Sequence, residues 1–211
     1  MMFIELFVPK GTLSEEKRRR ISERIIAELF AVDDSAPASV IEASRAISQV
    51  VVHEPDQWIA GGRALAPTEP PRYLVRASVP AAWRKEMSEH LISVITRVLA
   101  EADEDPQRLY QEPHAWVHVI GVPEGSCGAL GQVMGSTDII KMITKSYREA
   151  PEGSLPTREP APGTAIDPIC GMTVALTSAA ITLEHDDTLY AFCSHGCRAV
   201  FAEEVRQTAP N

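Results

Sequence analysis

The chain carries the same pattern twice. Apolar residues alternate at Ile4, Leu6 and Val8, and again at Tyr73, Val75, Ala77 and Val79. Each run stops at a Val–Pro pair, Val8–Pro9 and Val79–Pro80, 71 residues apart. Alternation with period two marks a strand with one buried face, and proline, which has no N–H to donate, ends it. Apolar positions at helical spacing follow each run. They are Ile21, Ile25, Ile26, Leu29 and Phe30 in the first copy, and Met87, Leu91, Ile95, Val98 and Leu99 in the second. A second strand closes each copy, over residues 48–52 and 115–121, and turn-rich segments at 54–62 and 125–135 come next. Strand–helix–strand units with parallel strands lay their helices on a sheet face. The duplication therefore predicts an α/β (α+β) fold, a two-layer sandwich of tandem β-α-β repeats. Thr12 and Glu15 have capping-box spacing at the start of the first helix. A last helix over 138–147, with Ile139, Ile143 and Tyr147 on one face, closes a domain placed at residues 1–148.

Residues 149–165 hold Pro151, Pro156, Pro160 and Pro162 with Gly153 and Gly163, a density of breakers that predicts a linker. A second, much smaller module is expected at 166–207. Three of the four cysteines fall there: Cys170, Cys193 and Cys197. Cys170 lies in the turn Asp167–Pro168–Ile169–Cys170–Gly171–Met172. Two short strands, 181–184 and 189–192, flank Asp186–Asp187 and lead into Cys193–Ser194–His195–Gly196–Cys197, where a helix to about Val205 is expected. Cys193 and Cys197 are one helical turn apart, so both sulfurs can face one ion, and a helix N-terminus favours their thiolate form. Cys170 would close the site from across the hairpin. A module of about 40 residues also needs a staple to fold. Thiolates favour Zn²⁺ or Cu⁺ over hard cations, without choosing between them. The fourth ligand is open among His195, His185 and a solvent molecule.

A net charge of −9 argues against a nucleic-acid partner, which would need a basic face. The run Lys17–Arg18–Arg19–Arg20 sits on the predicted first helix and reads as a solvated face. No apolar stretch reaches the roughly 18–20 residues that span a bilayer, so no membrane partner is expected. An acidic fifth residue and no basic leader predict a cytoplasmic protein, in which the cysteines stay reduced and suit metal better than disulfides.

The C-terminal segment resembles the YHS family, related to small treble-clef-like heavy-metal-binding modules. The likeness rests on Asp167–Pro168–Ile169–Cys170–Gly171–Met172, Tyr190–Ala191–Phe192–Cys193–Ser194–His195–Gly196–Cys197 and Phe201. It implies a transition-metal ion on Cys170, Cys193 and Cys197, in metal sensing or handling. The first domain resembles the tautomerase superfamily of 4-oxalocrotonate tautomerase and macrophage migration inhibitory factor. That likeness rests on Phe3–Ile4–Glu5–Leu6–Phe7–Val8–Pro9–Lys10–Gly11, the helix after Thr12, Val50–Val51–Val52–His53–Glu54 and Gly61–Gly62. It implies β-α-β repeats, a homotrimer and, where active, an isomerase or a related lyase or dehalogenase acting on a small unsaturated or keto acid. Catalysis in that family uses an N-terminal proline, and this chain has Met2 in its place.

The candidate catalytic residues are Met2, whose place is that of the base, and Arg72 and Arg76, which period two puts on one face to hold a small carboxylate ligand. The Val–Pro offset aligns Arg72 with Met1. His53–Glu54 is a weaker acid–base candidate. His114 and His118, alternating with Trp116, read as core or interface, Trp58 and Trp83 as packing, and Cys127 as an inert thiol. Two functions remain: a metal-binding protein on a tautomerase-like scaffold, or a tautomerase-type isomerase.

Overall fold

The computed structural model describes residues 2–31, 35–66, 68–151 and 159–208. In chain order the elements are β1 (Phe3–Phe7), α1 (Glu15–Leu29), α2 (Ala38–Ala46), β2 (Gln49–His53), a hairpin of β3 (Ile59–Ala60) and β4 (Arg63–Ala64), β5 (Tyr73–Pro80), α3 (Ala81–Glu101), α4 (Arg108–Gln111) and β6 (Ala115–Val122). There follow a second hairpin of β7 (Gly128–Ala129) and β8 (Gln132–Val133), α5 (Ser136–Ile143), α6 (Lys145–Arg148), β9 (Thr164–Ile166), β10 (Thr173–Ala175), β11 (Ile181–His185), β12 (Thr188–Phe192) and α7 (His195–Thr208). No helix among the described residues is long and apolar enough to cross a membrane.

The chain divides into two compact units, one of Met1–Ala31 and Ile47–Val122, the other of Val32–Ala46 and Pro123–Asn211. The first unit is the duplicated sandwich. Its sheet has the order β2-β1-β5-β6, with β1 parallel to β2, β5 parallel to β6, and β1 antiparallel to β5. Two parallel β-α-β units thus join edge to edge. Ile4, Leu6, Tyr73, Val75, Ala77 and Val79 are all buried under α1 and α3, against Ile21, Ile25, Leu91, Ile95, Val98 and Leu99. The alternation read from the sequence is the pleat of this sheet.

One detail of the first helix differs from expectation. Its cap is Ser14, whose Oγ accepts from the Lys17 N–H at 3.2 Å, not Thr12. The Thr12 hydroxyl donates instead to the Pro9 carbonyl at 2.7 Å, closing the turn that reverses the chain after β1.

Behind the sandwich's rim, Arg108 is buried and donates to the Asp103 carboxylate, to the Pro71 carbonyl at 2.8 Å and toward His114 Nδ1 at 2.9 Å. This buried ion pair ties α4 to the chain entering β5. Burial pushes Asp103 up, but Arg108 and backbone N–H groups outweigh it and hold the carboxyl below its ordinary range. His114 sits below the usual histidine range, first through burial and then through nearby arginines.

The second unit collects segments that the sequence assigned elsewhere. Residues 123–148, expected to close the first domain, group here. The expected helix over 138–147 is two helices, α5 and α6, parted at Thr144, a buried residue whose hydroxyl bonds back to the Ile140 carbonyl at 2.8 Å. Helix α5 packs on α7, with Lys141–Glu203 ionically paired at 2.6 Å. Helix α2, which the sequence reading did not foresee, packs on α5 and α6. Of the expected linker, residues 152–158 lie outside the described residues, and its last two, Thr164 and Ala165, already belong to β9, paired antiparallel to β10.

Candidate metal centre

The knuckle after β9 is shaped by Asp167 and Gly171. The Asp167 N–H donates to the Met172 carbonyl at 2.9 Å and the Gly171 N–H to the Asp167 carbonyl at 2.8 Å. Gly171 has φ +72, and a Cβ there would lie 2.4 Å from the Tyr147 ring. Only glycine both tolerates that backbone and leaves room for the ring. Across from the knuckle, β11 and β12 pair from Ile181↔Phe192 to His185↔Thr188. Asp186 and Asp187, with φ +49 and +58, form the two-residue turn between them. Strand β12 delivers Cys193, and the first turn of α7 delivers Cys197. The ring of Phe201, on the same helix, packs against Tyr190 and Phe192 at 4.6 and 5.4 Å between centroids.

Three sulfurs meet in this frame. Cys170 Sγ lies 3.5 Å from Cys193 Sγ, which lies 3.6 Å from Cys197 Sγ. A carboxylate oxygen of Asp167 joins them, and these four atoms all lie within 4.8 Å of one another. Cys170 and Cys197 are buried, while Cys193 stands at the mouth with its sulfur partly covered. Tetrahedral zinc with Zn–S near 2.3 Å puts sulfurs about 3.8 Å apart, so this spacing fits an ion with little adjustment. The group holds neither His195 nor His185, the two side chains expected to be the fourth ligand. His185 instead stacks edge-on against Phe201 and lies 3.3 Å from Asp186.

Sequence reasoning missed Asp167. Its place, an acid three residues before a cysteine at a tight turn, marked it only as a turn cap that folds back on backbone N–H groups.

Electrostatics make the cluster a poor trithiolate by itself. Cys197 accepts hydrogen bonds from Cys170 and then Cys193, which pull it down to about 5. Cys170, donating to Cys193 and Cys197 and buried besides, is pushed far above the ordinary thiol range. Cys193 is lowered by Cys170, but the bond to Cys197, burial and nearby negative charge prevail and leave it at about 11. Burial lifts Asp167 to about 6. One sulfur ionises readily and two resist, because negative charges this close repel in a low-dielectric site. A cation is what would let all three ionise together.

The residues singled out for catalysis do not gather in one chain. Met2 is buried in the core, and its N–H donates to Ser48 Oγ at 3.3 Å. Met1 lies outside the described residues. Arg76 is exposed on β5, opposite Glu5, with its guanidinium 5.2 Å from the Phe7 ring centroid. Because β1 and β5 run antiparallel, with Phe3 opposite Ser78, Met2 sits at one end of the pair and Arg72 at the other. The separation is roughly 23 Å at the rise of an extended strand. His53 stacks on Phe7 at 4.3 Å and meets Glu5, not Glu54, at 3.2 Å. His118 lies opposite Arg76 on β6, and His114 is held between Arg108 and Glu112.

No protein-family model matches the chain, and no curated protein matches it. Solved structures do. Pt0534 inactivated by 2-oxo-3-pentynoate is 18% identical, covering 62% of this chain and 94% of its own, with a TM-score of 0.47. N1, a member of the cis-3-chloroacrylic acid dehalogenase family, is 19% identical over 63% of this chain and 82% of its own, with a TM-score of 0.46. A macrophage migration inhibitory factor-like protein from Entamoeba histolytica is 9% identical over 63% of this chain and 98% of its own, with a TM-score of 0.43. The neighbours are thus members of the tautomerase superfamily.

Proposed function

We propose that this protein binds a transition-metal ion, Zn²⁺ or Cu⁺, through Cys170, Cys193 and Cys197 in a YHS-type C-terminal module, and serves in metal sensing or handling. One observation carries the reading: three cysteine sulfurs, from the knuckle, the end of β12 and the first turn of α7, lie 3.5–3.6 Å apart along the chain of contacts, close to the spacing of sulfurs that share one ion. Unrelated burial of three cysteines would not bring their sulfurs together in this way. The ion would supply the positive charge that three crowded thiolates lack. Cys170 and Cys197 would hold it from below and Cys193 from the mouth, where exchange with a carrier or a small thiol is possible. The test is purification of the full chain without added metal, followed by elemental analysis. About one ion per chain is expected, lost in Cys193→Ser. A wild-type protein that retains neither zinc nor copper at micromolar levels ends this reading.

The tandem β-α-β unit supports a second reading, a tautomerase-type isomerase acting on a small unsaturated or keto acid, with a homotrimeric scaffold. Arg72 and Arg76 would bind the substrate carboxylate, and completing a site with Met2 would require a second copy of the chain, given their separation. Ketonisation of phenylenolpyruvate by the parent protein would favour it. Inactivity of both the parent and a Met2→Pro variant lacking the initiator would remove it. Light scattering of the full chain reads the trimer directly. A cytoplasmic setting, which keeps the cysteines reduced, accords with the first reading.

A further inference from the structure

We propose that Asp167 supplies the fourth, oxygen donor of the centre, and that this Cys₃Asp set makes the module selective for a borderline divalent cation, Zn²⁺ above all, over Cu⁺. The inference rests on the metal-binding reading above and narrows its cargo.

Asp167 is fully buried, with 0% of its surface exposed. Its Oδ1 accepts from the Ile169 N–H at 2.8 Å and the Cys170 N–H at 3.4 Å, and its Oδ2 accepts from the Cys193 N–H at 2.8 Å. The carboxylate therefore grips both ligand-bearing loops at once, the knuckle of Cys170 and the end of β12. A carboxylate has about four acceptor positions. Three are taken by these N–H groups, which leaves one position open on the carboxylate, and one of its oxygens lies within 4.8 Å of every sulfur. No histidine among the described residues joins the group.

Donor chemistry then decides the ion. Three thiolates alone satisfy Cu⁺, a soft ion content with sulfur ligands. Zn²⁺ takes four ligands in structural sites and accepts carboxylate oxygen at about 2.0–2.2 Å alongside sulfur. A hard oxygen adds little for Cu⁺ and completes the tetrahedron for Zn²⁺. A fourth negative group is also better offset by two positive charges than by one.

The experiment uses the full chain. Zn²⁺ affinity is measured by chelator competition, and Cu⁺ affinity under reducing conditions with a copper-selective chelator, for wild type and Asp167→Asn. The amide keeps the size of the side chain and an oxygen to accept from a loop N–H, but loses the charge. Losing one of the two oxygens that hold the loops weakens binding of both ions alike, so Zn²⁺ affinity should fall roughly 10-fold or more further than Cu⁺ affinity does. If Asp167 merely braces the loops, both ions weaken by the same factor, and the inference is overturned. Should Asp167→Asn fail to fold, X-ray absorption of the zinc-loaded wild type decides. Three sulfurs and one oxygen support the assignment, and an imidazole signature or three-coordinate sulfur refutes it. A wild type that binds neither ion would instead refute the metal-binding reading itself.

Discussion

If the cysteine cluster holds the proposed ion, lowering the pH should release it over a narrow range, and the geometry of the cluster sets the steepness. At pH 7 the metal-free cluster has Cys197 ionised, because it accepts from Cys170 and Cys193 and lies at about 5. Asp167, lifted by burial to about 6, is largely ionised as well. Cys193 at about 11 and Cys170 above it still hold their protons. A cation bound by three thiolates must displace both. Groups whose metal-free pKa is raised make binding tighten as pH rises, until the pH passes that pKa. Two protons per ion mean about 100-fold in affinity per pH unit between pH 7 and 9, or about 2.7 kcal/mol per unit. Below pH 6 a third proton, on Asp167, steepens the loss, and Cys197 adds a fourth below about 5. Calorimetric titration with Zn²⁺ in two buffers of different ionisation heat counts the protons released, with about two expected at pH 8. Chelator competition across pH 6.5–9 reads the slope. Release of fewer than one proton, or an affinity flat across that range, would mean the sulfurs are already ionised, and the crowding reasoning would be wrong.

Other changes test the scaffold. Arg108→Met should cost about 3–5 kcal/mol in urea denaturation, because it leaves the Asp103 carboxylate buried without its partner. Adding Asp103→Leu should recover much of that loss, and an unrecovered double variant would locate the cost elsewhere. Since Asp103 is held below its ordinary range, its contribution is complete above the unfolded carboxylate pKa and is lost as pH falls through the folded one. Gly171→Ala should lower the thermal midpoint and weaken zinc binding together, since its Cβ meets the Tyr147 ring and its φ is +72. Unchanged zinc binding would refute the link between knuckle and centre. Ser14→Ala should cost about 1 kcal/mol as a lost N-cap, while Thr12→Ala should leave the helix start in place, as helicity and denaturation together would report.

Much of the first unit was legible in the sequence because strand and helix periodicity are local. Tyr73, Val75, Ala77 and Val79 announced their buried face, and Met87 through Leu99 announced theirs. Helix α2 was not legible. It is nine residues long with Val40 and Ile41 as its buried contacts, too little to show a period. That the three cysteines group together was readable from their spacing. Asp167 was not, because nothing along the chain distinguishes a carboxylate that caps a turn from one that also faces three sulfurs.

The sequence by itself determined the duplicated unit, its buried faces and the sulfurs that belong together. Tertiary structure decided where compactness ends, moving residues 123–148 and α2 into the unit that carries the cysteines. It also decided which oxygen stands beside the sulfurs. Periodicity is written into neighbouring residues, whereas a site of four atoms depends on loops far apart in the chain meeting within a few ångströms, and only packing fixes that.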